Sequence, residues 1–546
     1  MLSERWSDRR FLLGVAVTLA VLSSLPYVLG WLRATPQLGY LGLHGFASGD
    51  TYVYWSYLWQ ARDGNLALTD LYTTELAAVP MLNTFWSGAG LLGASLQLPV
   101  SLTFHLVRLA MIPLTLAALW WLIRQFPLTP DQRRWTLLLA VFAGGWSGYL
   151  LPFLHPGPYQ WGYYHWPPDL WVAESNVFLS AMHSGHMLAA VTLMAVIFSA
   201  TLVGARDSRW RWVAVAAASA LGLFSFHPFH VPTVAVILSA WAVAVSLVSR
   251  RWRGDVVRQV VLVGMAAAPV LAYYTYALRV DPVTAGRAAQ NVAYTPAWYL
   301  MIIGYGWLVP GAAAGLWRLR RTGEWRQLPW LLCGIWLFAQ LTLVFFPNLD
   351  FQRRLLTGLQ LPLVLLSVYG FPPVWAWMSK RWPGVPAALR ILPMLPAVAF
   401  VLLFGFTPMT NLANELGLMW ERHELMFWPR DQLAAITALR PMTGATSVIA
   451  AHPLTSYLIP GRIGRRVVAG HGIETLDDEA KRVALLWFFQ ARNPEQQLSW
   501  LRRYGVTHVF AGPREVGNDW SGLEALPQLT RVYDNGSVRL YRVAQQ

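Results

Sequence analysis

Charged residues, and carboxylates above all, are scarce in this sequence. Only 13% of its 546 residues are Asp, Glu, Lys or Arg, and 27 of them are acidic. The single cysteine, Cys333, excludes an intrachain disulfide, and no Cys/His pattern typical of zinc sites occurs. The sequence also lacks internal repeats, low-complexity tracts and a phosphate-binding glycine loop, which removes the usual signatures of solenoids, disordered chains and P-loop enzymes.

Apolar residues, by contrast, are abundant. The sequence is 55% hydrophobic with a mean hydropathy of +0.39, and it holds 30 Trp. Runs of about 20 apolar residues, the length of a membrane-spanning helix, recur along its first three-quarters. We predict eleven such helices, of which the first is a retained anchor: 11–32, 102–123, 135–153, 186–205, 212–226, 229–249, 257–278, 297–317, 329–346, 355–377 and 389–406. The apolar stretch 81–100 is interrupted by Gly and Pro, so it is either a further span, which would change the count, or a re-entrant or interfacial segment; we take it as not crossing the membrane.

Basic residues indicate the orientation of the spans. The net charge of +15 is distributed in short Lys and Arg clusters between apolar runs, not on one basic face, so we expect no nucleic-acid partner. The clusters fall on one side of the predicted spans, which the positive-inside rule assigns to the cytoplasm. The amino terminus is then cytoplasmic, and loops 33–100 and 154–185 lie outside the cell membrane.

The composition changes near the carboxyl end to that of a soluble α/β domain. Helical patterns are predicted at 431–440, 477–491 and 494–504, and strands at 447–451, 466–470, 507–511, 529–533 and 537–542, with a hairpin at Asn535-Gly536. The sequence thus predicts a mainly α, polytopic membrane domain at 1–425 with about eleven transmembrane helices. An extracytoplasmic α/β domain is predicted at 426–546.

Asp50 is the most conspicuous carboxylate, because it follows the first predicted span on the outer side. It opens the aromatic segment 50–62, whose amphipathic pattern predicts a helix at the membrane surface. Asp50 is either the N-cap of that helix or a general base that takes a proton from an acceptor. Asp63, Asp70 and Glu75 are interpreted as ordinary loop charges.

The second outer loop and the span after it are rich in polar residues. His183 and His186, with Glu174 and Asp169 nearby, can bind a divalent metal through mixed nitrogen and oxygen ligands. They can equally form hydrogen bonds to a sugar or phosphate, or be solvated at the interface. His227, in His227-Pro228-Phe229-His230, belongs either to a helix turn or to a site.

Arg353 and Arg354 stand at the predicted outer end of a span, against the positive-inside trend. A guanidinium there can hold a lipid phosphate through two parallel hydrogen bonds. The alternative is an interfacial anchor or a salt bridge to Asp350.

Together these segments resemble the glycosyltransferase C (GT-C) superfamily, membrane enzymes that use polyprenyl-phosphate sugars. The resemblance covers the whole chain and is carried by short motifs: Ser48-Gly49-Asp50, Ala173-Glu174-Ser175-Asn176, Met182-His183, His227-Pro228-Phe229, Phe351-Gln352-Arg353-Arg354 and Gly470-His471-Gly472-Ile473-Glu474-Thr475.

The resemblance implies a hexosyl or pentosyl transferase of the plasma membrane. Its donor would be a polyprenyl-phosphate sugar, its acceptor a glycan, lipid or protein at the outer face, and its chemistry inverting. Asp50 would be the general base. The substrate-binding residues would be Glu174, His183, His227, Arg353, Arg354, His471 and Glu474.

A divalent metal, Mg or Mn, is optional in such enzymes, and its ligands here would be Asp50, Glu174, His183 and His186. His471 and Glu474 belong either to a cap over the site or to the fold of the outer domain. We expect Asp50 and Glu174 to line one cavity with Arg353 or Arg354. The competing function is a transporter or flippase of a lipid-linked substrate.

Overall fold

The computed structural model describes residues 2–45, 48–155, 157, 160, 162–163, 165–371, 399–491, 493–517 and 519–544, which are mostly helical. The helices as far as residue 290 are α1 (Leu2–Arg33), α2 (Ser48–Arg62), α3 (Thr84–Ser95), α4 (Val100–Ile123), α5 (Pro130–Phe142), α6 (Ser147–Leu150), α7 (Val177–His183), α8 (Gly185–Asp207), α9 (Trp210–Phe226), α10 (His230–Val248), α11 (Gly254–Met265), α12 (Ala268–Val280) and α13 (Pro282–Gln290).

The remaining helices are α14 (Trp298–Tyr305), α15 (Leu308–Thr322), α16 (Leu328–Val344), α17 (Gln360–Gly370), α18 (Phe406–Trp420), α19 (Arg430–Met442), α20 (Pro453–Ile463), α21 (Asp478–Gln490), α22 (Pro494–Arg503), α23 (Pro513–Val516) and α24 (Ser521–Glu524). The strands are β1 (Leu38–Tyr40), β2 (Phe427–Pro429), β3 (Val448–Ala450), β4 (Arg466–Val467), β5 (His508–Ala511), β6 (Leu529–Asp534) and β7 (Arg539–Val543).

Several helices are long and apolar enough to cross a membrane. In the described ranges there are five by length and composition, or seven if each of two bent pairs is one span. Helices α9 and α16 are apolar but have only 17 residues each. The predicted spans 355–377 and 389–406 lie partly outside the described residues, so the count of eleven stays a prediction. Helix α3, within the stretch 81–100, has 12 residues and is too short to span, as expected.

Two predicted spans are broken, which corrects the expectation of single helices at 135–153 and 297–317. Helix α5 is bent by 42° from the 147–153 segment, and α14 by 87° from α15. The breaks contain Gly145 and Gly306, and the Cα of Gly145 lies only 2.8 Å from where a Cβ on Gly306 would be. Trp146 N donates to Ile303 O at 2.8 Å, and Gly145 N donates to a buried Asp169 carboxylate at 2.7 Å. These bonds satisfy backbone groups that the breaks release.

The chain divides into two compact units. Unit 1 comprises residues 1–25, 107–272 and 292–414, and unit 2 comprises residues 26–106, 273–291 and 415–546. Within unit 1, α15 and α17 approach so closely that a Cβ on Gly315 would lie 2.1 Å from Leu366 O. Small residues at such a crossing let apolar helices pack backbone to backbone, as is usual in membrane proteins.

Unit 2 contains a mixed five-stranded sheet in the order β4-β3-β5-β7-β6. Strand β3 is parallel to β4 and β5, and β7 is antiparallel to β5 and β6. Its core includes Phe488 of α21 and Trp500 of α22, whose rings stack at 4.5 Å. The β6–β7 hairpin turns at Gly536, whose φ of +89° favours glycine. The predicted strands and helices of this region are therefore confirmed within a few residues at their ends.

Candidate active site

Asp50 lies in the first turn of α2 and not at its N-cap, because the helix begins at Ser48. A carboxylate in a first turn is favoured by the positive end of the helix dipole. The Asp50 side chain is 45% exposed, and its Oδ1 lies 3.4 Å from Nε2 of His471. The Asp50 carboxylate is thus accessible to solvent, and one of its oxygens is oriented by a buried imidazole.

The His471 ring is fixed by its surroundings. It stacks on Tyr457 with centroids 5.6 Å apart, and its Nδ1 accepts hydrogen bonds from the backbone N–H groups of Ile473 and Glu474. An accepting Nδ1 leaves the proton of the neutral ring on Nε2, facing Asp50. Burial alone would lower the pKa of His471, but the hydrogen bond to Asp50 and the nearby carboxylates raise that pKa above its ordinary value.

A close contact with two aromatic rings requires glycine at position 49, just before Asp50. A Cβ at this position would lie 1.5 Å from the hydroxyl oxygen of Tyr457 and 3.3 Å from Cδ2 of His471. No side chain larger than hydrogen fits unless Tyr457 moves. The Gly49-Asp50 pair therefore lets the first turn of α2 contact the two rings that hold the Asp50 carboxylate.

A second polar cluster surrounds Arg287, a residue that is not among the predicted site residues. Its Nε lies 3.5 Å from Asp70 Oδ2, its Nη2 donates to Tyr57 Oη at 3.2 Å, and Nη2 also forms an ion pair with Glu474. Both carboxylates are largely buried, with exposed side-chain fractions of 7% for Asp70 and 11% for Glu474. Burial raises the pKa of Asp70, and Arg287 opposes that rise. The cluster connects helices α2 and α13 with the segment after β4.

Asp70 and Glu75 are not ordinary loop charges, which corrects the sequence-based interpretation. Glu75 forms an ion pair with the buried Lys481, which also donates to Thr73 Oγ1 at 2.9 Å. Arg466 Nη1 donates to the carbonyl oxygens of Asp70 and Thr73 at 2.8 and 2.7 Å. These bonds tie the loop 69–75 to the carboxyl-terminal segment of unit 2. Because the partners are about 400 residues apart in the sequence, no local pattern reveals them.

The predicted polar residues of unit 1 form a separate group. Glu174 lies in the one-turn helix Ala173–Ser175, which packs against the turn Gln352–Leu356 that carries Arg353 and Arg354. Asn176 caps α7 by accepting from Leu179 N at 2.9 Å, and the buried His183 ends that helix. The structure therefore brings the segment of Glu174 and that of the two arginines together within unit 1.

Three buried histidines and Arg354 form what we call the His–Arg cluster (His186, His227, His230 and Arg354). The ring centroids of His186 and His227 are 5.4 Å apart, and those of His227 and His230 are 5.0 Å apart. In the described part of the chain, His227 Nδ1 and both ring nitrogens of His230 are buried without a hydrogen-bond partner. Burial lowers the pKa of His227, and the nearby His230, His186 and Arg354 act in the same direction.

These features of the His–Arg cluster favour an anionic ligand. A buried donor without a partner costs about 1–3 kcal/mol, and an anion would accept hydrogen bonds from the imidazole N–H groups beside the Arg354 guanidinium. Metal binding has less support: among the residues that the structure describes, no group of three or more His, Cys, Asp or Glu is placed to hold a metal ion. The metal-ligand set Asp50, Glu174, His183 and His186 stays a prediction.

The predicted site residues are divided between the two units. Asp50, His471 and Glu474 meet in unit 2, whereas Glu174, His183, His227, Arg353 and Arg354 lie in unit 1. A cavity that joins the two groups stays a prediction. Arg287 was missed, although like Arg353 it is an arginine between two predicted apolar spans.

Comparison with known proteins gives one family model and several solved structures of similar fold. A family model described as "Family of unknown function (DUF6541)" matches residues 184–545. No curated protein matches the sequence.

Two solved structures resemble nearly the whole chain. The first is the archaeal oligosaccharyltransferase AglB from Archaeoglobus fulgidus in complex with an inhibitory peptide and a dolichol-phosphate, with a TM-score of 0.53, 11% identity and coverage of 99% of this chain and 75% of that one. The second is ArnT from Cupriavidus metallidurans bound to undecaprenyl phosphate, with a TM-score of 0.52, 12% identity and coverage of 96% and 99%. The resemblance to the GT-C superfamily is thereby confirmed at the level of the fold.

Proposed function

Because the chain belongs to the DUF6541 family, whose function is unknown, we propose a function from its fold and its polar clusters: it is a membrane glycosyltransferase that uses a lipid-linked sugar donor. The observation that carries the proposal is the accessible Asp50 carboxylate, oriented by the buried His471, in a chain with the GT-C fold. Oligosaccharyltransferase AglB and ArnT were each solved with a polyprenyl or dolichol phosphate, which supports the same class of donor for this chain.

The reaction that we propose is an inverting displacement. Asp50 takes the proton from an acceptor hydroxyl or amine, whose oxygen or nitrogen attacks the anomeric carbon of the sugar. The bond between that carbon and the phosphate oxygen breaks, and polyprenyl phosphate leaves with the bonding electrons. His471 Nε2–H lies beside Asp50 Oδ1 and is proposed to orient the carboxylate that receives the proton.

The His–Arg cluster is proposed to bind the donor phosphate. Arg354 supplies positive charge that stabilises the leaving phosphate, and the imidazole N–H groups supply neutral hydrogen bonds. Arg353, whose guanidinium lies 5.8 Å from the Trp171 ring, assists from the same turn. Glu174 and His183 are proposed to contact the sugar. Glu474 is proposed to support the Asp50 site through its ion pair with Arg287. Whether the sugar is a hexose or a pentose follows from the assay below.

The proposed topology places this chemistry outside the cytoplasm. We propose about eleven transmembrane helices within residues 1–425, a cytoplasmic amino terminus, and an outer location for loops 33–100 and 154–185. The α/β region 426–546 is proposed to be extracytoplasmic as well, which brings Asp50 and His471 to the same compartment. The plasma membrane is the proposed location.

A direct assay tests the function. The purified chain in lipid nanodiscs is given polyprenyl-phosphate hexoses and pentoses with a cell-envelope extract as the source of acceptor, and released polyprenyl phosphate is measured. We expect release with at least one donor. We also expect Arg354→Gln to raise the KM for the donor at least tenfold, whereas the exposed Arg326→Gln leaves it unchanged. No release with any donor, or equal KM values for the two variants, would contradict the proposal.

A further inference from the structure

A groove in unit 1 is lined by helices α10, α15 and α16. Its volume is about 580 Å³, within the ~300–1,000 Å³ range of small-molecule sites. Helix α16 lines it from Trp330 to Thr342, a rise of about 18 Å at ~1.5 Å per residue. The hydrocarbon of one bilayer leaflet is about 15 Å thick, half of the ~30 Å core. The groove is therefore about as long as an acyl chain that lies in one leaflet.

The lining of the groove is apolar along most of its length. Of its twelve described residues, Arg320 alone is charged. Gly334 and Phe338 lie four residues apart and therefore share one face of α16. A Cβ on Gly334 would meet no atom within 4 Å, and Phe338 is 58% exposed. The groove is thus an open apolar slot, which hydrocarbon fills at a lower free energy than water does.

Positive charge is concentrated at the end of the groove that Arg320 occupies. Trp325 also lines the groove, and the Arg326 guanidinium lies 5.3 Å from its ring. Residues 318–326 contain four arginines and one carboxylate, Glu324. The positive-inside rule assigns this segment to the cytoplasmic side, where basic pockets between membrane helices bind anionic lipid head groups. A guanidinium there can bind a phosphate through two parallel hydrogen bonds.

We infer that the groove binds one anionic phospholipid, with an acyl chain along α16 and its head-group phosphate at Arg320. A zwitterionic phospholipid fills the apolar part equally well, but it brings a positive charge to the arginine-rich end. A polyprenyl phosphate carries a negative head group too, but the donor phosphate is proposed to bind at the His–Arg cluster, where His230 begins α10. The inference concerns lipid binding alone, so it stands or falls independently of the proposed glycosyl transfer.

The test counts the lipids that the full chain binds. Native mass spectrometry follows titration with phosphatidylglycerol or with phosphatidylcholine of the same acyl chains. We expect one phosphatidylglycerol to bind saturably, with a Kd at least fivefold below that of phosphatidylcholine. Gly334→Phe should fill the groove and raise the Kd of phosphatidylglycerol at least tenfold. Gly14→Phe is the matched control, since a Cβ there also meets no atom within 4 Å and Gly14 does not line the groove.

A second variant separates the head group from the acyl chain. Arg320→Gln should abolish the preference for phosphatidylglycerol and leave the Kd of phosphatidylcholine unchanged. Arg209→Gln, exposed between helices α8 and α9, should keep the preference. The inference is overturned if no lipid binds saturably, if Gly334→Phe binds phosphatidylglycerol as Gly14→Phe does, or if Arg320→Gln keeps the wild-type preference.

Two further outcomes would assign the groove to another occupant and overturn the inference as well. Displacement of phosphatidylglycerol by an equal concentration of polyprenyl phosphate would make the groove a site for the donor lipid. A dimer that Gly334→Phe converts to a monomer would make the groove an interface with a second copy of the chain. We expect neither, because one phospholipid per chain should survive both the polyprenyl phosphate and dilution of the protein.

Discussion

The Asp50 carboxylate owes its orientation to residues about 400 positions away in the sequence. His471 donates to it from Nε2, and Tyr457 supports the His471 ring from one face. The sequence alone leaves Asp50 as an N-cap or a general base. In the structure the Asp50 side chain lies in the first turn of helix α2, is 45% exposed and faces the buried His471, and its role as general base stays a prediction.

The close contact at Gly49 leads to a first prediction. Gly49→Ala should push Tyr457 from its place, destabilise the protein by about 1–3 kcal/mol as overpacking does, and reduce transfer. Thermal unfolding and the transfer assay measure the two effects. Gly88→Ala is the control, since a Cβ there meets nothing within 4 Å in helix α3, and it should be neutral or slightly stabilising. A Gly49→Ala variant as stable and active as Gly88→Ala would refute the role of the contact.

Protonation of His471 leads to a second prediction. The pKa of His471 is raised above its ordinary ~6.5, so the ring becomes cationic as the pH falls through that higher value. The cation disrupts the bonds that Nδ1 accepts and lowers the basicity of Asp50, so kcat should rise with pH across this window. His471→Gln keeps a donor but cannot titrate, and its lower kcat should lack the step. An identical step in His471→Gln would assign the titration to another group.

At the scale of secondary structure, what the sequence predicts depends on how local the signal is. The helix at 50–62 and the strands around 448–450 and 508–511 follow from periodicity and β-branched residues within each segment. The broken helices at Gly145 and Gly306 were missed, because the hydropathy of each run is continuous across the break. Arg287 was missed for a different reason: its three partners come from three distant segments, and only tertiary packing unites them.

Arg287 leads to a prediction about stability. Arg287→Gln leaves the carboxylates of Asp70 and Glu474 buried without their cation, which should destabilise unit 2 by about 3–5 kcal/mol. Thermal unfolding of the variant in nanodiscs measures the loss. Arg279→Gln, at the exposed end of helix α12, should unfold like wild type. Equal unfolding temperatures for both variants would mean that Arg287 does not bridge the two carboxylates.

At the scale of the whole molecule, the fold resembles those of oligosaccharyltransferase AglB and ArnT, while the proposed orientation of the chain rests on the positive-inside rule. The proposed chemistry requires Asp50 and residues 426–546 to face the same compartment. The natural sequence provides a convenient background for a test, because its single cysteine is buried.

Cysteine labelling tests this orientation. In a Cys333→Ala background, Ser521→Cys should react with a membrane-impermeant maleimide in intact cells, since Ser521 is exposed in the region proposed to be extracytoplasmic. Ser208→Cys, exposed between helices α8 and α9 in a predicted cytoplasmic loop, should react only after lysis. The reverse pattern of labelling would invert the proposed topology.

Substitution of the Asp50 carboxylate gives the sharpest test of its proposed role as the general base of a glycosyl transfer. Transfer from the preferred polyprenyl-phosphate sugar is measured for wild type, Asp50→Asn and Asp63→Asn, each checked for folding by thermal unfolding. Asp63 follows the other end of helix α2 and pairs with Arg440, so its variant controls for the same chemical change. We predict a loss of about 10²–10⁴-fold for Asp50→Asn and wild-type transfer for Asp63→Asn. Unchanged transfer by a folded Asp50→Asn variant would contradict the account.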